Sequence, residues 1–123
     1  MNKIKTPPLV LVVDNDRDLA DLLGTILKAQ GFQVLTAYSY NHGRTLIEES
    51  HSEIACLLTD TQLGDGLGTA LIKLFKEKQP NRHAIRTSGN SEYNTKRSGE
   101  TDFIAKPFPS NVLIDKVKGL LYE

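Results

Sequence analysis

Five short apolar runs are spaced along this chain, and most are followed by a stripe of apolar residues at helical spacing. This alternation constrains the fold more than any other feature. The first run, Leu9–Val13, is continuous and Val-rich, as in a strand buried on both faces. Phe32–Thr36, Ile54–Thr59, Ala84–Thr87 and Phe103–Ala105 read as four further strands. Leu19, Leu22, Leu23, Ile26 and Leu27 recur at i, i+3, i+4, i+7 and i+8, the stripe of an amphipathic helix, with Gly31 as its stop. Gly43, Leu46 and Ile47 mark a weaker helix. Leu67, Leu71, Leu74 and Phe75 mark a third, closed by Pro80, and Leu113, Val117, Leu120 and Leu121 lie on one side of a last helix over Pro109–Leu121. Strands alternating with helices in this way imply right-handed βαβ crossovers and a parallel sheet with helices on both faces. The expected fold class is therefore α/β, a doubly wound five-stranded parallel sheet.

In that architecture ligands sit beyond the carboxyl ends of the strands. The residues there are Asp14-Asn15-Asp16, Asp60, Thr87-Ser88-Gly89 and Lys106-Pro107. Side by side, the carboxylates would repel one another unless a cation lay between them. Oxygen donors without clustered Cys or His suit a hard ion, Mg²⁺ rather than zinc. A lysine and a hydroxyl nearby could hold the oxygens of a phosphoryl group. Such a set supports phosphoryl transfer to an aspartate by positioning and charge neutralisation.

Composition narrows the class further. The chain has 123 residues, one domain's worth, and its 15 basic and 15 acidic side chains cancel. A basic excess for nucleic acid is missing, so no direct nucleic-acid binding is expected. The lone Cys56 has no internal disulfide partner and reads as a small core residue in a reducing compartment. The run before Asp14 is too short for a signal peptide or a membrane span. A soluble cytoplasmic protein with no membrane contact is expected, with Met1–Pro8 as a loose lead and residues 9–123 as the domain. His42, His51 and His83 show no metal-ligand spacing and read as surface residues.

From Leu9 to Leu121 the chain resembles the response-regulator receiver family of two-component signalling. Val12-Val13-Asp14-Asn15-Asp16, Leu58-Thr59-Asp60, Leu63-Gly64-Asp65 with Gly68, Thr87-Ser88-Gly89 and Ala105-Lys106-Pro107-Phe108 carry the likeness. Each piece is weak alone; the set in this order is specific. The resemblance implies the flavodoxin-like receiver fold. It implies Asp60 as the acceptor of a phosphoryl group from a phosphohistidine on a histidine kinase or histidine phosphotransfer protein. It also implies Mg²⁺ held by Asp14, Asn15, Asp60 and the backbone carbonyl of Gln62. Lys106 falls on the family's site lysine, Phe103 on its switch aromatic, and a cis bond is implied before Pro107. Thr87 and Ser88 compete for the hydroxyl position; the family has a small residue directly after it, so Gly89 selects Ser88.

The chain also departs from the pattern. Asn15 replaces one of two usual acids. Gly64 sits where proline is common, which should loosen the loop after Asp60. The interval from Ser88 to Lys106 is about one helical turn short, and Ser91–Gly99 lacks apolar anchors. A monomer that does not dimerise through this fourth helical segment is expected. Two other readings stand beside the phosphorylation switch. One is a pseudo-receiver, an interaction module indifferent to phosphate. The other is a haloacid-dehalogenase-type phosphatase, suggested by Asp14-Asn15-Asp16 but opposed by Asp18, where that family has Thr or Val. The sequence is compatible with a stand-alone receiver or with a piece of a larger regulator or hybrid kinase.

Overall fold

The computed structural model describes residues 6–89 and 102–122. Its elements run β1 (Leu9–Val13), α1 (Arg17–Ala29), β2 (Gln33–Ala37), α2 (Tyr40–Ser50), β3 (Ile54–Asp60), α3 (Gly68–Lys78), β4 (His83–Ser88), β5 (Asp102–Ala105) and α4 (Ser110–Leu121), with a single 3₁₀ turn at His51–Glu53. The five strands form one parallel sheet in the order β2-β1-β3-β4-β5. The expected α/β class and doubly wound sheet are thus observed. Ser91–Gly99 lies outside the described residues.

Alternation along each strand divides the core in two. Val10, Val12, Cys56, Leu58 and Ile85 meet α1 and α4 on one face. Leu11, Val13, Leu57 and Ala84 meet α2 and α3 on the other. A run such as Leu9–Val13 is apolar throughout because both of its faces are covered. Burial pushes the Cys56 thiol up to about 12, so it is an inert core residue.

Local chemistry sets the helix ends. The Asp16 side chain accepts the Leu19 N–H at 3.2 Å and starts α1. At its other end the N–H groups of Gly31 and Phe32 reach back to the carbonyls of Lys28 and Leu27, closing the helix. Helix α2 is capped by Ser39, whose Oγ accepts the His42 N–H at 3.0 Å. Helix α3 has no such cap: Leu67 occupies the N-cap position and is half-exposed. Leu67→Ser should therefore stabilise the fold by about 1 kcal/mol, a gain of roughly 3–5 °C in Tm. Thermal unfolding of the variant checks this, and a lower Tm would show that the Leu67 side chain contributes more than the missing cap.

One core expectation needs correction. The stripe on α1 included Leu22, but Leu22 is 54% exposed, and the buried positions are Ala20, Leu23, Gly24 and Leu27. The helix turns its small residues toward the sheet, since Gly24 faces Val34 and Thr36 of β2. At the start of the described chain, the carbonyls of Pro7 and Pro8 accept hydrogen bonds from Gln33.

Candidate functional site

The strand order places the topological switch between β1 and β3, with β2 on one side of β1 and β3 on the other. Asp14 follows β1 and Asp60 ends β3, so the two carboxylates meet there. Lys106 arrives from the end of β5 across β4. Its backbone N–H donates to the Ser88 carbonyl at 2.9 Å, which fixes where its side chain begins. The Lys106–Pro107 peptide is cis. Lys106 Nζ then lies 2.9 Å from Asp14 Oδ2 and 3.4 Å from Asp60 Oδ2.

Asp14 is buried and its other oxygen accepts the Asp16 N–H at 2.9 Å. Asp60 is partly buried, and its Oδ1 accepts the Thr61 N–H at 2.8 Å. Burial holds the Asp60 carboxyl above the usual range. Lys106 pulls it down, Asp14 pushes it up, and the Thr61 N–H pulls it down again. Ser88 is buried at the last position of β4 and pairs with Ala105. Asn15 and Gln62 are exposed at the same edge of the sheet, and Asn15 Nδ2 lies near Gly64. Phe103 stands on β5 beside Arg86 of β4.

The loop after Asp60, where Gly64 stands in place of the common proline, is tied down by hydrogen bonds. Gly64 takes φ of 87°, which proline cannot adopt, and the turn closes with Leu63 N–H on the Gly66 carbonyl. Asp65 accepts the N–H groups of Tyr40 and Asn41 at 2.8 and 3.1 Å, tying the loop to the start of α2. Those bonds hold the Asp65 carboxyl below its usual range. At Gly68 a Cβ would sit 1.9 Å from the Asp60 carbonyl oxygen, so only glycine allows α3 to start this close to Asp60.

Two residues here were not singled out from the sequence. Thr61 donates its hydroxyl and its N–H to the Thr87 carbonyl at 2.8 and 2.9 Å. Arg86 Nη1 donates to Thr61 Oγ1 at 3.1 Å, and its guanidinium stacks 4.6 Å over the Phe103 ring. The available signal was a charged residue in the otherwise apolar stretch Ala84-Ile85-Arg86.

The donor types fit a hard cation. The Asp14 and Asp60 carboxylates converge on Lys106 Nζ, Asn15 directly follows Asp14 and Gln62 lies two residues after Asp60, and among the described residues no group of three or more His, Cys, Asp or Glu gathers. Oxygen donors of this kind suit Mg²⁺, which binds through one or two carboxylates and keeps part of its hydration shell.

A family model for the response regulator receiver domain matches residues 10–118. The chain belongs to the response-regulator receiver family. Among curated relatives, the transcriptional regulatory protein CpxR of Escherichia coli K12 is 28% identical over 124 aligned residues, covering 98% of this chain and 50% of that protein. The chain therefore spans about half the length of the curated relatives it matches. A CheY-like receiver protein from Methanospirillum hungatei superposes with a TM-score of 0.82 at 26% identity, covering 93% of each chain. The Thermotoga maritima response regulator TrrA, solved with Mg²⁺ and BeF, superposes with a TM-score of 0.83 at 22% identity, covering 93% of this chain and 99% of that one. The receiver match sets aside the phosphatase reading, and the pseudo-receiver is not favoured. Among the described residues no helix is long and apolar enough to cross a membrane.

Proposed function

We propose that Asp60 of this receiver accepts a phosphoryl group from a phosphohistidine on a histidine kinase or histidine phosphotransfer protein, in a Mg²⁺-dependent reaction. The observation that carries the reading is Lys106 Nζ lying between the carboxylates of Asp14 and Asp60. A carboxylate oxygen of Asp60 forms the new P–O bond as the donor's P–N bond breaks, and the leaving imidazole nitrogen takes a proton. Lys106 offsets the charge gathering on the phosphoryl oxygens. Ser88 supplies a hydroxyl donor to one of those oxygens, and Phe103 responds at the neighbouring strand. Asp14, Asn15, Asp60 and the Gln62 carbonyl would hold the ion, which neutralises oxygen charge when bound. Residues 9–123 act as the domain and Met1–Pro8 as its lead, in the cytoplasm with the donor protein.

The donor must bring its imidazole to Asp60, so it must cover the mouth around Lys106. The surface beside that mouth is apolar. Leu19, Leu22, Leu23 and Ile26 of α1, with Pro107 and Phe108, line a recess of about 420 Å³. The exposure of Leu22 thus fits a docking face for the donor.

The test is incubation with Mg²⁺ and acetyl phosphate followed by intact mass. One added phosphate supports the switch; none supports the pseudo-receiver.

Asn15 gives a further expected result. It supplies a neutral oxygen where a carboxylate would attract the ion more strongly, although a carboxylate also costs more to strip of water. Asn15→Asp should tighten Mg²⁺ about tenfold, or ~1.4 kcal/mol, and speed phosphorylation at low Mg²⁺. Calorimetric titration of both proteins measures this. Equal or weaker affinity in the variant contradicts it.

A further inference from the structure

The site already has its cation in Lys106, yet a second one, Arg86, is buried in β4 with only 9% of its surface exposed. Arginine stays charged, and a buried charge persists only where partners compensate its lost hydration. Two of Arg86's partners lie in different parts of the switch. Its Nη1 donates to the hydroxyl of Thr61, the residue directly after Asp60. Its plane stacks on the ring of Phe103, its register partner on β5. One rigid, planar group therefore touches both the acceptor loop and the aromatic at the sheet's edge.

We propose that Arg86 is a positioning residue that couples the charge on Asp60 to the pose of Phe103. The inference rests on Asp60 being the phosphoryl acceptor. In the resting protein, the guanidinium holds Thr61 and the ring together. Phosphorylation adds negative charge one residue away from Thr61, in an environment where water screens poorly. That charge draws the guanidinium toward Asp60 and off the ring, which is then free to take a second position. Burial also lowers the Arg86 pKa. An apolar side chain could fill the same space but could not feel the charge.

The chain has 4 phenylalanines, so labelling with 4-fluorophenylalanine gives a short ¹⁹F spectrum, and Phe103→Leu assigns the Phe103 line. Wild type, Arg86→Met and Arg86→Lys are compared without ligand and with Mg²⁺ and beryllofluoride. The fluorine lines of bound beryllofluoride report occupancy separately. In wild type the Phe103 line should move on binding. In Arg86→Met the line should already be displaced at rest and should move less than half as far at equal occupancy. Arg86→Lys should restore more than half of the response, because it keeps the charge. An Arg86→Met response equal to wild type overturns the proposal, and so does an Arg86→Lys protein that behaves like Arg86→Met. If Arg86→Met fails to fold, Thr61→Val removes only the anchoring hydroxyl. It should reduce the response in the same direction, and an unchanged response again overturns the coupling. A wild-type protein showing no bound beryllofluoride would remove the acceptor reading itself, and the coupling with it. Coupling failure alone appears instead as a normally occupied site with a Phe103 line indifferent to Arg86.

Discussion

Asp60→Asn is expected to gain no phosphate from acetyl phosphate and, in the absence of Mg²⁺, to unfold at a higher temperature than its parent at pH 7. The first effect follows from removing the carboxylate oxygen that would form the P–O bond, with almost no change in volume. The second follows from the environment of Asp60. Burial, the largest influence, raises its pKa; Lys106 and the Thr61 N–H oppose that rise only in part, and Asp14 adds to it. A carboxyl whose pKa is raised by folding binds its proton more tightly in the native state than in the unfolded one. Its favourable contribution is complete below the unfolded value of about 3.9 and is lost as pH climbs through the raised native value. At neutral pH the ionised Asp60 opposes folding, and asparagine removes that opposition. The stability difference should shrink as pH falls toward the ordinary carboxylate range. Thermal unfolding between pH 4 and pH 8, with intact mass alongside, checks both effects. A variant less stable than its parent at pH 7 would mean that attraction to Lys106 outweighs the burial of Asp60. Phosphate uptake at the parental rate would remove Asp60 as the acceptor.

The legible parts of this protein were those specified by local pattern. Leu9–Val13 announces a strand because burial on both faces leaves no polar position in it. The carboxyl ends of successive strands converge by topology alone, so Asp14, Asp60 and Lys106 could be grouped from order and spacing. The face of α1 was less legible. The apolar stripe spans more of the helix than the sheet can cover, and packing uses Ala20 and Gly24 while leaving Leu22 outside. Leu67 misled in the same way, since it is apolar and in phase with α3 yet stands as its exposed N-cap. The Thr61–Arg86–Phe103 contacts were not legible at all. Arg86 meets Thr61 across a sequence separation of 25, and only the β3–β4–β5 register brings the three together. The grip of Asp65 on α2 is equally non-local.

Lys106→Met should produce the largest combined effect, because one ammonium serves two carboxylates. Its Nζ is 2.9 Å from Asp14 Oδ2, and the Asp14 side chain is only 2% exposed. Methionine keeps most of the apolar stem, so the change isolates the charge. Removing one partner of a fully buried ion pair costs 3–5 kcal/mol as an order of magnitude; with Lys106 still partly solvated, about 2–3 kcal/mol is expected here, a fall of roughly 6–12 °C in Tm. The two carboxylates are then left facing each other, which makes the pocket a stronger cation site than before. Mg²⁺ should therefore raise the Tm of the variant more than that of the parent. At a concentration of about 100 Kd the linkage is worth ~2.7 kcal/mol, enough to offset most of the loss. Phosphorylation should not recover with it. In the proposed role, the lysine's contact with the developing phosphoryl charge would be missing even when the fold is restored, and losing one such donor costs on the order of 10²–10³ in rate. Melting curves across a Mg²⁺ series, paired with phosphorylation rates at saturating Mg²⁺, separate the two roles. A variant whose Tm and rate both return to parental values in Mg²⁺ would show that Lys106 only balances charge at rest. A variant whose Tm does not respond to Mg²⁺ would place the ion somewhere other than between Asp14 and Asp60.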